Sequence, residues 1–309
     1  MVSHYHADIN PDDDDNNSHV AMLSMVGFNK RVLEAGCASG HVSEMLHAQG
    51  CSVVGVEIDS TVVKPATQWL ERAIVGDFDD KKLWIELEGE FFDAILFGDV
   101  LEHLKDPLMT LRESAKHLHP SGMVVISVPN IAHADVKLAL IRGTFPYSES
   151  GLLDRTHIYF FTKEGLMDLV KQAGLITTEI RRITVPVFGT EIGVQPSEVS
   201  DEILAAILSD RESETYQFII KAVLDDGTRS LEELPKQLVV LTDQLLDETR
   251  RYETLRTRFE DLARKFHALE AHHEADQLDL AHLRHQTALV KRFIPRPLLN
   301  FFRKRVREQ

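Results

Sequence analysis

Short apolar runs alternate with segments whose apolar residues recur every three or four positions, and the alternation persists to about residue 225. Val- and Ile-rich runs of this length fit strands buried on both faces, and the amphipathic stretches between them fit crossover helices. The pattern predicts strands near 31–35 (RVLEA), 52–57 (SVVGVE), 73–75 (AIV), 91–97 (FFDAILF) and 122–128 (GMVVISV). A helix over HVSEMLHAQ follows the first strand and is closed by Gly50. Another, at about 107–118, precedes the fifth strand and ends at Pro120. Two further strands, near 176–185 and 215–224, are expected to form an antiparallel hairpin that finishes the sheet. An inserted helix at about 197–211, carrying EVSDEILAAILSD, lies between them. This order is the sequence form of a doubly wound α/β sheet.

After Asp225 the period changes. From Leu234 to Val290 a strict 4,3 spacing visits 17 positions, of which 13 are Leu, Val, Phe or Tyr; the exceptions are Glu248, His273, Asp276 and Thr287. A 3.5-residue period sustained this long predicts a coiled coil, a rod of roughly 85 Å at 1.5 Å per residue. The alternative is a helix folded back on its own domain, which would not need an unbroken heptad. The chain therefore reads as an α/β domain at 1–225, an oligomerisation helix at 226–290 and a tail at 291–309.

Composition separates the tail from the rest. The 309 residues are 43% hydrophobic and 27% charged with a net charge of −15, which argues against nucleic acid as the main partner. Yet residues 291–309 hold seven Lys or Arg against Glu308 alone, leaving about −21 on the remainder. Within the tail, Leu298, Phe301, Phe302 and Val306 share one helical face, a pattern suited to an anionic membrane surface; the alternative is a solvated basic end that neutralises the acidic body. No apolar stretch approaches the roughly 20 residues of a membrane span. The acidic start lacks the apolar core of a secretory signal, and the two cysteines, Cys37 and Cys51, form no CxxC pair. These features point to the cytoplasm, with peripheral attachment at the inner face of the membrane.

The stretch VLEAGCASGH, residues 32–41, leaves a predicted strand through a glycine-bearing turn into a helix. A dinucleotide turn wants G-x-G-x-x-G, but the three positions read Gly36, Ala38 and His41, so a pyrophosphate is not expected here. A cofactor without phosphate can still use the close backbone approach at Gly36 and Gly40, with Glu57 at the end of the second strand for ribose hydroxyls.

In order along residues 15–225, VLEAGCASG, VVGVEID, VGDFDD, FDAILFGDVLEHLKDP, LHPSGMVVISVPN and GLLDRTHIYFFT resemble the motifs of class I S-adenosylmethionine-dependent methyltransferases. Their PN-x-x-H and LD-x-TH-x-x-FFT segments look most like the bacterial branch associated with cell-surface polysaccharide and glycan synthesis. The resemblance implies a seven-stranded Rossmann-like sheet and S-adenosylmethionine as cofactor. It places Glu34, Gly36, Cys37 and Gly40 around the methionine part, Glu57 at the ribose, Asp77 and Phe78 at the adenine, and Gly98 and Asp99 near the sulfonium. Ala38, where many relatives have Gly, is a departure that constrains the turn.

Methyl transfer to a protonated hydroxyl calls for a base or a metal. His157, oriented by Asp154, is the first candidate base, with Arg155 available for an acceptor phosphate or carboxylate. Asp99 and His103 are further active-site groups. Asp99, Glu102 and His103 resemble the E-x-x-E-H metal triad of quinone-biosynthesis O-methyltransferases, with Asp for the first Glu; a metal is not the favoured reading. A lid at about 130–156 is expected to bind the acceptor through Asn130, His133, Phe145 and Tyr147, the two aromatics either stacking on a sugar face or forming the lid's own core.

The expectation is a dimeric O-methyltransferase acting on a sugar hydroxyl of a glycan or lipid-linked precursor, with a glycosyltransferase as a further partner. One alternative is a quinone-type, metal-assisted small-molecule O-methyltransferase. The other is a non-catalytic scaffold that recruits glycosyltransferases through its coiled coil.

Overall fold

The computed structural model describes residues 16–225 together with 256, 260, 261 and 263–265. The chain divides into two compact units, Met1–Thr228 and Arg229–Gln309. In the second, the described residues are helical, with ion pairs Arg256–Glu260 and Lys265–Asp261 one turn apart. The rest of the expected coiled coil and the whole basic tail lie outside the described residues.

The first unit is built on a seven-stranded sheet: β1 (Arg31–Ala35), β2 (Ser52–Glu57), β3 (Arg72–Val75), β4 (Phe92–Gly98), β5 (Leu118–Pro129), β6 (Leu175–Thr184) and β7 (Thr215–Leu224). Their spatial order is β3-β2-β1-β4-β5-β7-β6, with β7 antiparallel to both of its neighbours and the other pairs parallel. The expected final hairpin is therefore present, entered so that β7 sits inside β6.

Strand alternation divides the core. Leu33, Ile95, Phe97, Val124 and Ile126 face one layer, while Val32, Ala94, Leu96 and Val125 face the other. The first layer holds α3 (Lys81–Glu86), α4 (Pro107–Lys116) and α6 (Lys163–Gln172) through Leu83, Leu111 and Leu166. The second holds α1 (Ser18–Val26) and α2 (His41–Ala48) through Met22, Val26 and Leu46. Burial on both faces explains why these strands read as unbroken apolar runs. Helix starts follow capping chemistry: Asn17 accepts from His19 N, and Asp106, followed by Pro107, accepts from Met109 N.

One predicted boundary moves. Instead of ending α4, Pro120 lies inside β5, which begins at Leu118. Phe92 pairs with Leu118 and Ala94 with Met123, so the register skips the stretch around Pro120, where a residue without an N–H cannot join the ladder. The inserted helix is α7 (Asp201–Leu208), shorter than expected because Ser200 caps it.

Candidate active site

β1 and β4 are neighbours whose following connections run to opposite sides, so a crevice opens beyond their carboxyl ends. It holds a cavity of about 560 Å³, walled by the turn after β1, the end of β4, the loop 150–157 and the start of β7.

The turn is shaped for close approach. Gly36 has φ +63, and a Cβ there would lie 2.8 Å from Val100 Cγ2; one on Gly40, φ +91, would lie 2.6 Å from the Ala66 backbone. Ala38 adopts φ +44, a left-handed conformation that an L side chain resists, which is the structural content of its departure from Gly. Gly40 is also the N-cap of α2 and supplies no side-chain cap, leaving the first-turn N–H groups to other partners.

Glu34 is buried and accepts a 2.6 Å hydrogen bond from Ser43 Oγ. Burial pushes its carboxyl up to about 8, with the Ser43 hydrogen bond opposing. Cys37 lines the cavity, but burial, then Glu34 and Glu57, push its thiol far up, so it is a packing residue rather than a nucleophile.

Glu57, expected to take the ribose hydroxyls, binds the turn after β1, and it is not among the residues lining the cavity: Oε2 accepts from Ala38 N at 3.1 Å and Oε1 from Asp59 N at 3.0 Å. A carboxylate offers about four acceptor sites, so these two bonds do not exhaust it. Asp77 lies on a separate shallow surface with Asp79 and Lys105 and accepts from Asp79 N. Phe78 departs from expectation: its ring is buried between Trp84 and Phe97, each at 5.6 Å, so it packs the core instead of facing an adenine.

Asp99 and Gly98 both line the cavity at the end of β4. Asp99 sits at φ +55 and accepts hydrogen bonds from Ser127 and Gln217, neither anticipated from sequence. Burial raises its carboxyl, opposed by those two hydrogen bonds.

The triad of Asp99, Glu102 and His103 is not what the fold assembles. Glu102, His103 and His157 come together instead, with one ligand atom from each within 4.8 Å of the others, while Asp99 is turned to Ser127 and Gln217. Glu102 is only 1% exposed, and neither carboxylate oxygen has a partner in another described residue. Burial first, then Asp99 and Asp154, push it well above the usual range. Its backbone carbonyl accepts from Ile158 N and Tyr159 N, tying this turn to the loop that carries His157.

His157 and His103 contact edge to face, and burial followed by His103 lowers the His157 imidazole. The Asp154 carboxylate does not orient the His157 ring; the two residues are joined through the backbone, His157 N donating to Asp154 O at 3.1 Å. That carboxylate accepts from Thr156 N and Oγ1, and these bonds, with both histidines, bring it below the ordinary range against the effect of burial. Asp154 thus orders the loop.

The acceptor residues fare unevenly. Asn130 is fully buried, its amide donating to Thr215 O and Glu212 O. His133 is also fully buried, with Nδ1 accepting from Asp135 N and Nε2 facing Val185 O. Both stitch α5 (Ala134–Ile141) to the β6 and β7 ends, and that half of the expected lid is docked core rather than a cover. Phe145 packs against Val136, Leu152 and Leu153, which favours the lid's own core, while Tyr147 beside it is 55% exposed; neither lines the cavity. Arg155 pairs with Glu149 at 2.9 Å on the surface.

Ser18, His19, Ser127, Glu191, Tyr216 and Gln217 line or floor the site unforeseen. The signal available was Gln217, a lone amide entering the apolar run FIIKAVL. Glu191, which accepts from Tyr216 Oη and Leu152 N, had none.

Sequence comparison finds relatives among the methyltransferases. A ubiquinone biosynthesis O-methyltransferase of Ruegeria pomeroyi is 30% identical over 158 residues, 47% of this chain and 59% of that protein. One from Xanthomonas oryzae pv. oryzae is 31% identical over 143 residues, 42% of this chain and 59% of its own. The chain thus spans about three-fifths of these curated relatives' length. A crystal structure of a SAM-dependent methyltransferase from Archaeoglobus fulgidus superposes with a TM-score of 0.46 at 20% identity, covering 62% of this chain and 85% of that one. The family model described as a methyltransferase domain matches residues 20–180, more than half of the chain. The chain therefore belongs to the methyltransferase domain family, the S-adenosylmethionine-dependent group that its motifs resemble.

Proposed function

We propose that the protein is an S-adenosylmethionine-dependent O-methyltransferase whose acceptor presents a neutral hydroxyl, a sugar hydroxyl of a glycan or its precursor. The observation that carries this is the cavity wall. Among the described residues, those lining it include Glu34, Asp99, Glu102, Asp154 and Glu191 but no lysine or arginine, which favours an acceptor portion without an anion needing a cationic partner. The LD-x-TH segment on which the glycan resemblance rests forms part of that wall. The residues present fit the cofactor: Gly36 and Gly40 leave no room for a side chain, Glu57 keeps acceptor sites, and Glu34 is placed for an ammonium group.

When bound, S-adenosylmethionine supplies an electrophilic methyl carbon for in-line displacement. The turn after β1 and the β4 end would hold the donor at the crevice, and positioning can account for much of the barrier reduction in such a transfer. His157, kept neutral by burial, takes the hydroxyl proton as the acceptor oxygen forms its bond to carbon. Asp154 holds the loop, and the α1 residue His19 closes the opposite wall.

A second reading rests on the ubiquinone-pathway names of the relatives and on the Glu102, His103 and His157 cluster: a small-molecule O-methyltransferase in which these three would hold a divalent ion, which would lower the pKa of a phenolic hydroxyl. Their mixed carboxylate and imidazole donor set, with an orphaned buried carboxylate, fits such an ion. The coiled coil and basic tail expected from the sequence would extend either reading to a dimer held at an anionic membrane surface, and among the described residues no helix is long and apolar enough to cross a membrane.

Radiolabelled methyl transfer to a panel of neutral glycans and of catechol-type phenols, with and without chelator, tests the assignment. Chelator-insensitive labelling of glycans is expected. Labelling confined to phenols and lost on chelation selects the second reading.

A further inference from the structure

Side chains from three strand ends meet on the cavity floor. Asp99 follows β4, Ser127 belongs to β5 and Gln217 to β7. Ser127 Oγ donates to Asp99 Oδ1 over 2.9 Å. Gln217 Nε2 donates to the same oxygen and, over 2.6 Å, to Ser127 Oγ.

Packing alone does not call for this arrangement. Gln217 is 8% exposed at the head of an apolar strand, where a buried amide is costly unless its hydrogens are used, and its Nε2 donates to Asp99 and Ser127. Asp99 is held at φ +55, a conformation that costs a non-glycine residue on the order of 1–3 kcal/mol. Three polar groups and a strained backbone thus converge on presenting one carboxylate. Both donors go to Oδ1, and Asp99 lines the cavity, which leaves Oδ2 engaged by neither of them. Hydrogen bonds donated to a carboxylate favour its ionised form.

We propose that Gln217, assisted by Ser127, is a positioning residue that holds Asp99 as an oriented anion facing the sulfonium of the methyl donor, so that the site distinguishes the charged donor from its neutral thioether product. The inference rests on the methyl-donor reading above. During transfer the carbon–sulfur bond breaks and its electron pair stays on sulfur, which becomes uncharged. The attraction of Asp99 ends with that charge, so its contribution to holding the cofactor is lost once the methyl group has left.

Calorimetric titration of S-adenosylmethionine and S-adenosylhomocysteine into the full-length protein tests this, on wild type, Gln217→Leu and the milder Ser127→Ala. The ratio of product Kd to donor Kd is expected to fall about fivefold in Gln217→Leu and by less in Ser127→Ala, with product affinity within about twofold of wild type. A merely structural role weakens both ligands together and leaves the ratio unchanged, which overturns the proposal. If Gln217→Leu does not fold, an unchanged ratio in Ser127→Ala overturns it equally. Wild type that binds neither ligand defeats the methyl-donor reading itself, an outcome distinct from normal binding with an unaltered ratio.

Discussion

The imidazole rings of His103 and His157 meet edge to face with centroids 4.8 Å apart, one from the short turn after β4 and the other from the loop that closes the cavity. The contact makes each ring part of the other's environment. Burial and the neighbouring imidazole both disfavour a proton on His157, so it stands ready to accept one at neutral pH.

His157→Ala is therefore expected to lower turnover by about 10²–10⁴, the usual contribution of a general base, while donor affinity stays within about twofold. The wild-type rate is expected to fall on acidification, with an inflection below 6.5, the ordinary histidine value, because His157 titrates lower. Single-turnover rates across pH check both. A His157→Ala enzyme that keeps full turnover would remove it from the chemistry.

Glu34 links stability to pH. Its folded carboxyl titrates near 8 against 4.5 unfolded, so the folded state holds the extra proton between those values. That contribution is fully present below 4.5 and is lost as pH rises through 8, so the native state weakens over this window. Glu34→Gln, neutral throughout, is expected to flatten this part of the profile, as read by urea denaturation at pH 6 and pH 9. Equal slopes in both proteins would show that Glu34 ionises normally.

Glu57 holds Ala38 N and Asp59 N, which does not exhaust its acceptor sites. Glu57→Ala is expected to weaken S-adenosylmethionine binding by tenfold or more, since charge-assisted hydrogen bonds contribute about 1.5–3 kcal/mol each. Titration calorimetry reads the change, and an affinity within twofold of wild type would place the ribose elsewhere.

Phe97 is fully buried where β4 meets Phe78 and the α4 layer. Phe97→Ala is expected to cost about 3–5 kcal/mol, whereas Tyr147→Ala, on an exposed ring, changes stability by about 0.5 kcal/mol or less. Denaturant midpoints compare them, and a reversal would mean the loop aromatics carry the core.

The sheet was legible from the chain because strands buried on both faces need continuous apolar runs, and Val32–Leu33 or Ala94–Phe97 have little freedom to be anything else. Gly36, Gly40, Glu57 and Asp99 were legible because they stand where strands end, a position that period and punctuation locate. Phe78 and His133 misled because a motif reports that a residue matters without saying which way its side chain points. Both turned inward, one into the aromatic core and the other onto a backbone carbonyl.

By itself the sequence determined the alternating order of elements, the glycine turn after β1 and the heptad spacing of apolar residues beyond 225, because each depends on residues close together along the chain. Only the tertiary structure decided that β7 inserts beside β5, which carries Gln217 to Asp99, and that the loop after α5 brings His157 to Glu102 and His103. Those meetings join residues far apart in the chain, and a contact made through space by packing and hydrogen bonding leaves no period along the sequence from which to read it.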